Sequence, residues 1–243
     1  MSARPCLILV PGLMCDAAAW QPVLPGLATH DCRVVQHGQA DSLVQMARQV
    51  LDQAPARFAL AGHSMGGRVA LEVMRLAPER VSHLGLFDTG HRPLPPGAAG
   101  EDEVRKRMAW LAMARAQGVR AMARDWVQGM MTPTHLQDTA LLESVLDMFE
   151  RQTADQFECQ LRALIGRPDA SDVLARVRIP TLLLCGAQDQ WSPPAQHQAM
   201  ADLMPLHPGV VAIPDCGHMA MQEQAPAVLH AMRHWLSQAE TAC

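Results

Sequence analysis

Ser64 stands in Gly62-His63-Ser64-Met65-Gly66, a G-x-S-x-G string preceded by a strand-like run at 57–61 and followed at once by a helical pattern. A residue at the apex of so tight a strand-turn-helix adopts a backbone conformation that most residues avoid. Side chains two positions before and after it would clash, so glycine is required at both. The chemistry open to a serine raised in this way is nucleophilic attack. A serine N-cap on an ordinary helix is the competing reading; it accounts for Ser64 but not for both glycines.

A serine hydroxyl is a weak nucleophile at neutral pH and needs a base, which in turn needs an orienting acid. Among eleven histidines, His218 is best placed, because Asp215-Cys216-Gly217-His218 directly follows the last strand-like run. His63 adjoins Ser64, but adjacency along a tight turn does not bring imidazole to hydroxyl. His230 and His234 have the i, i+4 spacing of a metal pair. No carboxylate or cysteine accompanies them at matching spacing, so they read as a solvated helix face and no metal site is expected. His91 and His135 are candidate substrate contacts. For the acid, Asp189 in CGAQDQWSPP leads, Asp88 in LFDTG is the rival, and Asp215 reads as part of its own turn. Charge developing on a substrate oxygen needs donors. The amide of Met65, at a helix N-terminus, supplies one. The loop VPGLMCD supplies the second through the amide of Leu13.

Positioning these groups is the task of the surrounding elements. Short apolar runs at 6–10, 33–36, 58–61, 84–87, 181–185 and 210–213 are mostly continuous, as in strands buried on both faces of a parallel sheet. Helical patterns lie between them at 21–27, 42–53, 65–76 and 226–237. The alternation predicts an α/β fold, a mostly parallel sheet of about six strands flanked by helices. Loops at the carboxyl ends of such strands carry ligands, and Ser64, Asp189 and His218 all follow strands there. Between 90 and 170 the alternation stops. Four helical segments, at 101–117, 119–131, 136–151 and 154–165, follow the Pro/Gly-rich HRPLPPGAAG. The predicted organisation is a core at 1–90, a helical insertion at 91–170 and the rest of the core at 171–243.

Bulk properties narrow the function classes. A chain of 243 residues, nearly half apolar, forms one domain with an insertion. The net charge of −4 argues against nucleic acid or an acidic membrane as partner. No run approaches the roughly 20 apolar residues that span a bilayer. The apolar start of the chain is short and broken by Pro11-Gly12, so it reads as a buried strand rather than a signal peptide. Seven cysteines without paired spacing predict free thiols in a reducing compartment, hence a cytoplasmic protein.

The chain resembles the α/β-hydrolase superfamily over nearly its full length. The order Ser64, Asp189, His218 is that family's order of nucleophile, acid and base. LVPGLMCDAAAWQPVLPGL is similar to its oxyanion segment, GAQDQWSP to its acid segment and CGHMAMQEQAP to its histidine segment. The helical insertion after LFDTG falls where the family carries its cap. Pro11 replaces the usual histidine before the oxyanion-loop glycine, the segment after the second strand is reduced to QHGQADS, and the family's first two strands are absent. The resemblance implies a carboxylesterase-like serine hydrolase acting on a carboxylic ester or thioester, with no metal or organic cofactor. An acyltransferase or lyase with the same triad is the second expectation, and a weakly catalytic, receptor-like binding protein the third.

Sixteen methionines suggest a flexible apolar pocket. Met14 and Met219 adjoin the presumed catalytic residues, and Met108, Met122, Trp126 and Met130 fall on apolar faces of the insertion. Plain core filling is the alternative for each methionine. Cys15 and Cys216 also flank the site and read as packing. The insertion is basic from 92 to 124, with seven basic and three acidic residues, and acidic from 125 to 169, with three and eight. A solvated surface explains this, and so does an entrance for an anionic or carrier-linked substrate.

Overall fold

A computed structural model describes residues 4–239. Six strands form one sheet: β1 (Cys6–Val10), β2 (Asp31–Val34), β3 (Phe58–His63), β4 (Val81–Phe87), β5 (Thr181–Gly186) and β6 (Val210–Ile213). Their order is β2-β1-β3-β4-β5-β6, and every pairing is parallel. This is the α/β-hydrolase fold. β1, β3 and β4 are buried along their whole length, which is why 6–10, 58–61 and 84–87 run without polar alternation, while Ser82, His83 and His63 are buried polar exceptions.

The helices are α1 (Leu43–Gln53), α2 (Met65–Leu76), α3 (Ala98–Gln117), α4 (Val119–Trp126), α5 (Pro133–Leu136), α6 (Thr139–Glu150), α7 (Ala154–Ile165), α8 (Ser171–Leu174), α9 (Pro194–Leu203), α10 (Ala220–Glu223) and α11 (Ala225–Leu236). α1, α2, α8 and α9 pack in sequence along one face of the sheet, and α11 packs under β5 and β6. Connections leave β1 toward one edge and β3 toward the other. The crevice between their carboxyl ends is therefore the topological switch point, where open α/β sheets bind ligands. Among the described residues, no helix is long and apolar enough to cross a membrane.

The structure departs from the sequence reading in several places. The segment expected as a helix at 21–27 forms only 3₁₀ turns, at Ala17–Ala19 and Leu24–Leu27. Pro22 and Pro25 remove two amide donors and deny it an i→i−4 ladder. β2 lies two residues earlier than expected. It is a half-exposed edge strand, so burial imposes little pattern on it. All helices between β4 and β5 except α8 fall at 98–165, but the segment expected as one helix at 136–151 starts late, as α6, with Leu136 closing the short α5 before it. The break occurs at Asp138, whose carboxylate accepts from Leu141 N and so starts α6. The segment 119–131 ends as α4 at Trp126 and tightens to a 3₁₀ turn, Val127–Gly129. The six described cysteines are free; Cys32 and Cys159 are half-buried and the other four buried. Cys243 lies outside the described residues.

Candidate active site

β3 delivers Ser64 to the switch point with φ 52° and ψ −114°, a conformation costly for any residue with a side chain. The turn is tight enough that a Cβ on Gly62 would lie 2.2 Å from the carbonyl oxygen of Gly66. One on Gly66 would lie 2.2 Å from that of Val10. Both glycines are thus steric requirements of the serine's position. Gly67 serves packing, against the side chain of Thr89. The Thr89 hydroxyl donates to the carbonyl of Ser64 at 2.6 Å and pins the turn from β4.

Ser64 Oγ lies 2.9 Å from His218 Nε2 and donates to it. His218 Nδ1 donates to Asp189 Oδ2 at 2.8 Å. The other Asp189 oxygen accepts the amides of Trp191 and Ser192 at 2.8 and 3.0 Å. Burial opposes ionisation of Asp189, but the facing His218 and these amides outweigh it, and its pKa is lowered to about 2. The three residues stand on the loops after β3, β5 and β6.

The rival acids sit elsewhere. Asp215 is an exposed turn residue with φ 50°. Asp88 is fully buried beneath the site, where Oδ1 accepts the amide of Gly186 at 2.9 Å. Burial and the nearby Asp189 raise its pKa well above the ordinary carboxylate range. His63 turns away from the hydroxyl, donating through Nε2 to the carbonyl of His218 at 2.8 Å. Burial and then neighbouring His218 lower its pKa to about 3, so it is a neutral brace.

Leu13 lies in a turn closed by Cys15 N donating to Gly12 O at 3.1 Å. Its amide donates to no backbone or side-chain acceptor among the described residues. Met65 opens α2, so its N–H has no acceptor one turn earlier. Leu13, Ser64, Met65 and His218 share the wall of one cavity of about 740 Å³.

Trp126 and Met130 line that cavity, but the other expected pocket residues do not. Met14, Met122 and Met219 are fully buried in packing around it. Met108 is 44% exposed, which corrects its placement on an inward apolar face. α3 presents Glu103, Lys106, Arg107 and Trp110 to the cavity instead, at i, i+3, i+4 and i+7. His91 and His135 also lie outside the lining. His230 and His234 are exposed on α11. Burial drives the thiols of Cys15 and Cys216 strongly up, with Asp16 and Asp88 respectively adding to the effect, so neither is a poised nucleophile.

Several residues escaped the sequence reading. Trp191 packs its ring 4.9 Å from that of His218 and 5.6 Å from that of Trp126. Glu223 accepts the amides of Gly217 and Met219 on one oxygen, and on the other the amide of Thr132 and Nδ1 of His135. Its position five residues after His218 was the available signal. Arg68, Arg107 and Arg167 also line the cavity; Arg68, one helical turn after Ser64, was the one that spacing could have found.

A model of the alpha/beta hydrolase family matches residues 7–231. The chain is 28% identical over 249 residues to the dihydrolipoyllysine-residue acetyltransferase component of the acetoin cleaving system of Pseudomonas putida, covering 95% of this chain and 63% of that protein. It is 28% identical over 214 residues to a pimeloyl-[acyl-carrier protein] methyl ester esterase of Photobacterium profundum, covering 82% of each. A thermophilic esterase from Thermogutta terrifontis, solved with malate bound, superposes with a TM-score of 0.85 at 25% identity, covering 99% of this chain and 92% of that one.

Proposed function

The chain belongs to the alpha/beta hydrolase family, and on that premise we propose that it is an enzyme hydrolysing a carboxylic ester or thioester through an acyl-enzyme on Ser64. The observation that carries this reading is the continuous hydrogen-bonded line from Ser64 Oγ through His218 to Asp189, at 2.9 and 2.8 Å. Similarity to the two esterases supports it.

In the proposed reaction, His218 Nε2 takes the proton of Ser64 as Oγ adds to the substrate carbonyl. The ionised Asp189 holds the tautomer with the proton on Nδ1 and stabilises the imidazolium. The amides of Leu13 and Met65 receive the oxyanion. On collapse, His218 gives its proton to the departing alcohol or thiol. Water, deprotonated by the same imidazole, then adds to the acyl-enzyme and releases the acid. The helices between β4 and β5 act as a cap that excludes bulk water and shapes the pocket. The substrate is a small-molecule or carrier-linked ester, the latter in keeping with the carrier-protein esterase.

Acyl transfer is the second reading, favoured by similarity to the acetyltransferase component. It differs only in the nucleophile that resolves the acyl-enzyme. A series of p-nitrophenyl esters of rising chain length, assayed with the wild type and Ser64→Ala, tests the proposal. Turnover is expected from the wild type alone. No turnover of any ester, or equal turnover by Ser64→Ala, sinks it. A rate that rises with added alcohol or thiol while acid release falls selects transfer.

A further inference from the structure

The cavity wall is charged in a way that ester hydrolysis does not require. Arg68, Arg92, Lys106, Arg107 and Arg167 line it, against the single carboxylate of Glu103. Arg167 grips Glu103 bidentately, at 2.8 and 2.9 Å, and Arg107 Nε donates to the same carboxylate at 2.9 Å. Lys106 pairs with Asp102 at 2.8 Å. Arg68 has no carboxylate partner among the described residues. Among those residues its side chain makes one hydrogen bond, from Nη1 to the carbonyl of Arg92 at 2.8 Å. The side chain of Arg92, exposed at the cavity mouth, has no acceptor among them either.

An unpaired guanidinium next to other cations is an unfavourable arrangement for the empty protein. Desolvation of this partly buried side chain, and then the charges of Arg167 and Arg107, lower the Arg68 pKa to about 9, with Glu103 opposing them more weakly. The cost is relieved when an anion enters, and the planar fork of arginine matches carboxylate and phosphate oxygens. The absence of a side chain at Gly90 makes room for the carboxamide of Gln196 beside Arg68, where its Nε2 donates to the carbonyl of Thr89 at 3.4 Å. A Cβ there would lie 1.6 Å from Gln196 Nε2 and 3.4 Å from Arg68 Nη2. The main-chain N–H of Arg68 donates to the carbonyl of Ser64 at 3.4 Å, which places its backbone one helical turn after the serine, and both residues line the same cavity.

We infer that Arg68 and Arg92, backed by Gln196, form a subsite for an anionic oxygen group, carboxylate or phosphate, carried by the substrate away from its scissile carbonyl. The placement of that carbonyl at Ser64 rests on the hydrolase reading; the anion subsite itself does not. The substrate class is therefore an acyl ester with a free acid group, or a thioester whose leaving group bears a phosphate.

Calorimetry on Ser64→Ala protein, which needs no turnover, separates the two claims. The probes are monomethyl adipate, its neutral dimethyl ester, and pantetheine 4′-phosphate beside unphosphorylated pantetheine. At least one anionic probe is expected to bind roughly tenfold or more tightly than its neutral partner. Arg68→Met should erase most of that ratio, and Arg92→Met should weaken it if Arg68→Met does not fold. A preference for the half-ester assigns the anion to the acyl part, and one for the phosphate assigns it to the leaving group. Equal affinity within both pairs, or a preference intact in the arginine variants, overturns the subsite. If the wild type turns over neutral esters at Ser64 without any anion preference, the subsite falls and the hydrolase reading stands. Arginine-dependent anion binding without turnover of any ester leaves the subsite and removes the hydrolase reading.

Discussion

The main-chain N–H of Met14 donates to Oε1 of Gln160 at 2.8 Å, tying the loop after β1 to α7 of the helical insertion. Met14 has φ 60°, so the loop conformation that points the adjacent Leu13 amide is held partly from the insertion. Gln160→Leu leaves a buried donor unpaired, at a cost of about 1–3 kcal/mol. Because the Leu13 amide is then less well aimed, kcat should fall by roughly tenfold with KM little changed. Steady-state kinetics on an activated ester, alongside a melting curve, checks both effects. A loss of stability with unaltered kcat would remove Gln160 from any role in holding the loop.

Glu223 organises the segment that carries His218. Four donors converge on its two oxygens, two from the His218 loop and two from the insertion. Glu223→Ala should cost about 3 kcal/mol, because it leaves buried donors without an acceptor. For a chain of this size that is a drop of roughly 6–12 °C in Tm. Glu223→Gln keeps the volume but turns an NH₂ toward amide donors, so thermal unfolding should place it between the wild type and the alanine variant.

Asp189 and Asp88 make opposite predictions although both are buried carboxylates. Asp189→Asn should lower kcat on the order of 10³–10⁴-fold, because the imidazole loses the partner that fixes its tautomer. Asp88→Asn keeps the acceptor for the Gly186 amide and should stay within a few-fold of wild-type activity. Parallel kinetics of the two variants decides which carboxylate is the acid; a collapse in Asp88→Asn with Asp189→Asn active would reverse the assignment.

The same two groups shape stability against pH with opposite signs. Asp189 has a folded pKa of about 2, below the ordinary value near 3.8. Its stabilising contribution is present above that ordinary value and is lost as pH falls toward 2. Asp88 has a raised folded pKa. The folded protein therefore keeps a proton that the unfolded chain releases, and stability declines as pH rises above about 4. Asp88→Asn should flatten that decline and Asp189→Asn should flatten the acid limb, as read by denaturant unfolding from pH 3 to pH 8.

The fold and the three groups in line were legible because each is fixed by local sequence. Gly62 and Gly66 report a steric limit, and continuous apolar runs report burial on both faces of a parallel strand. Asp189 follows such a run, and His218 follows the short apolar run of the half-exposed edge strand β6. The cavity wall was less legible. α3 has no one-sided apolar stripe, so Met108 read as inward although it is exposed, while the charged face of Glu103, Lys106 and Arg107 turned to the cavity. Nothing in the local sequence marks Arg68 as unpaired, because the carboxylate that would have paired it is missing from a distant element rather than from its own helix. Trp191 was passed over for a similar reason. Its contacts with His218 and Trp126 join segments far apart in the chain.

The proposed reaction requires Ser64 to be an activated nucleophile. The most direct measurement is covalent labelling by a fluorophosphonate, followed by mass spectrometry of the digested protein. The predicted result is one adduct, on the peptide carrying Ser64, formed by the wild type and lost in His218→Ala with the protein still folded. An adduct on another residue, or labelling of Ser64 that persists undiminished without His218, would contradict it.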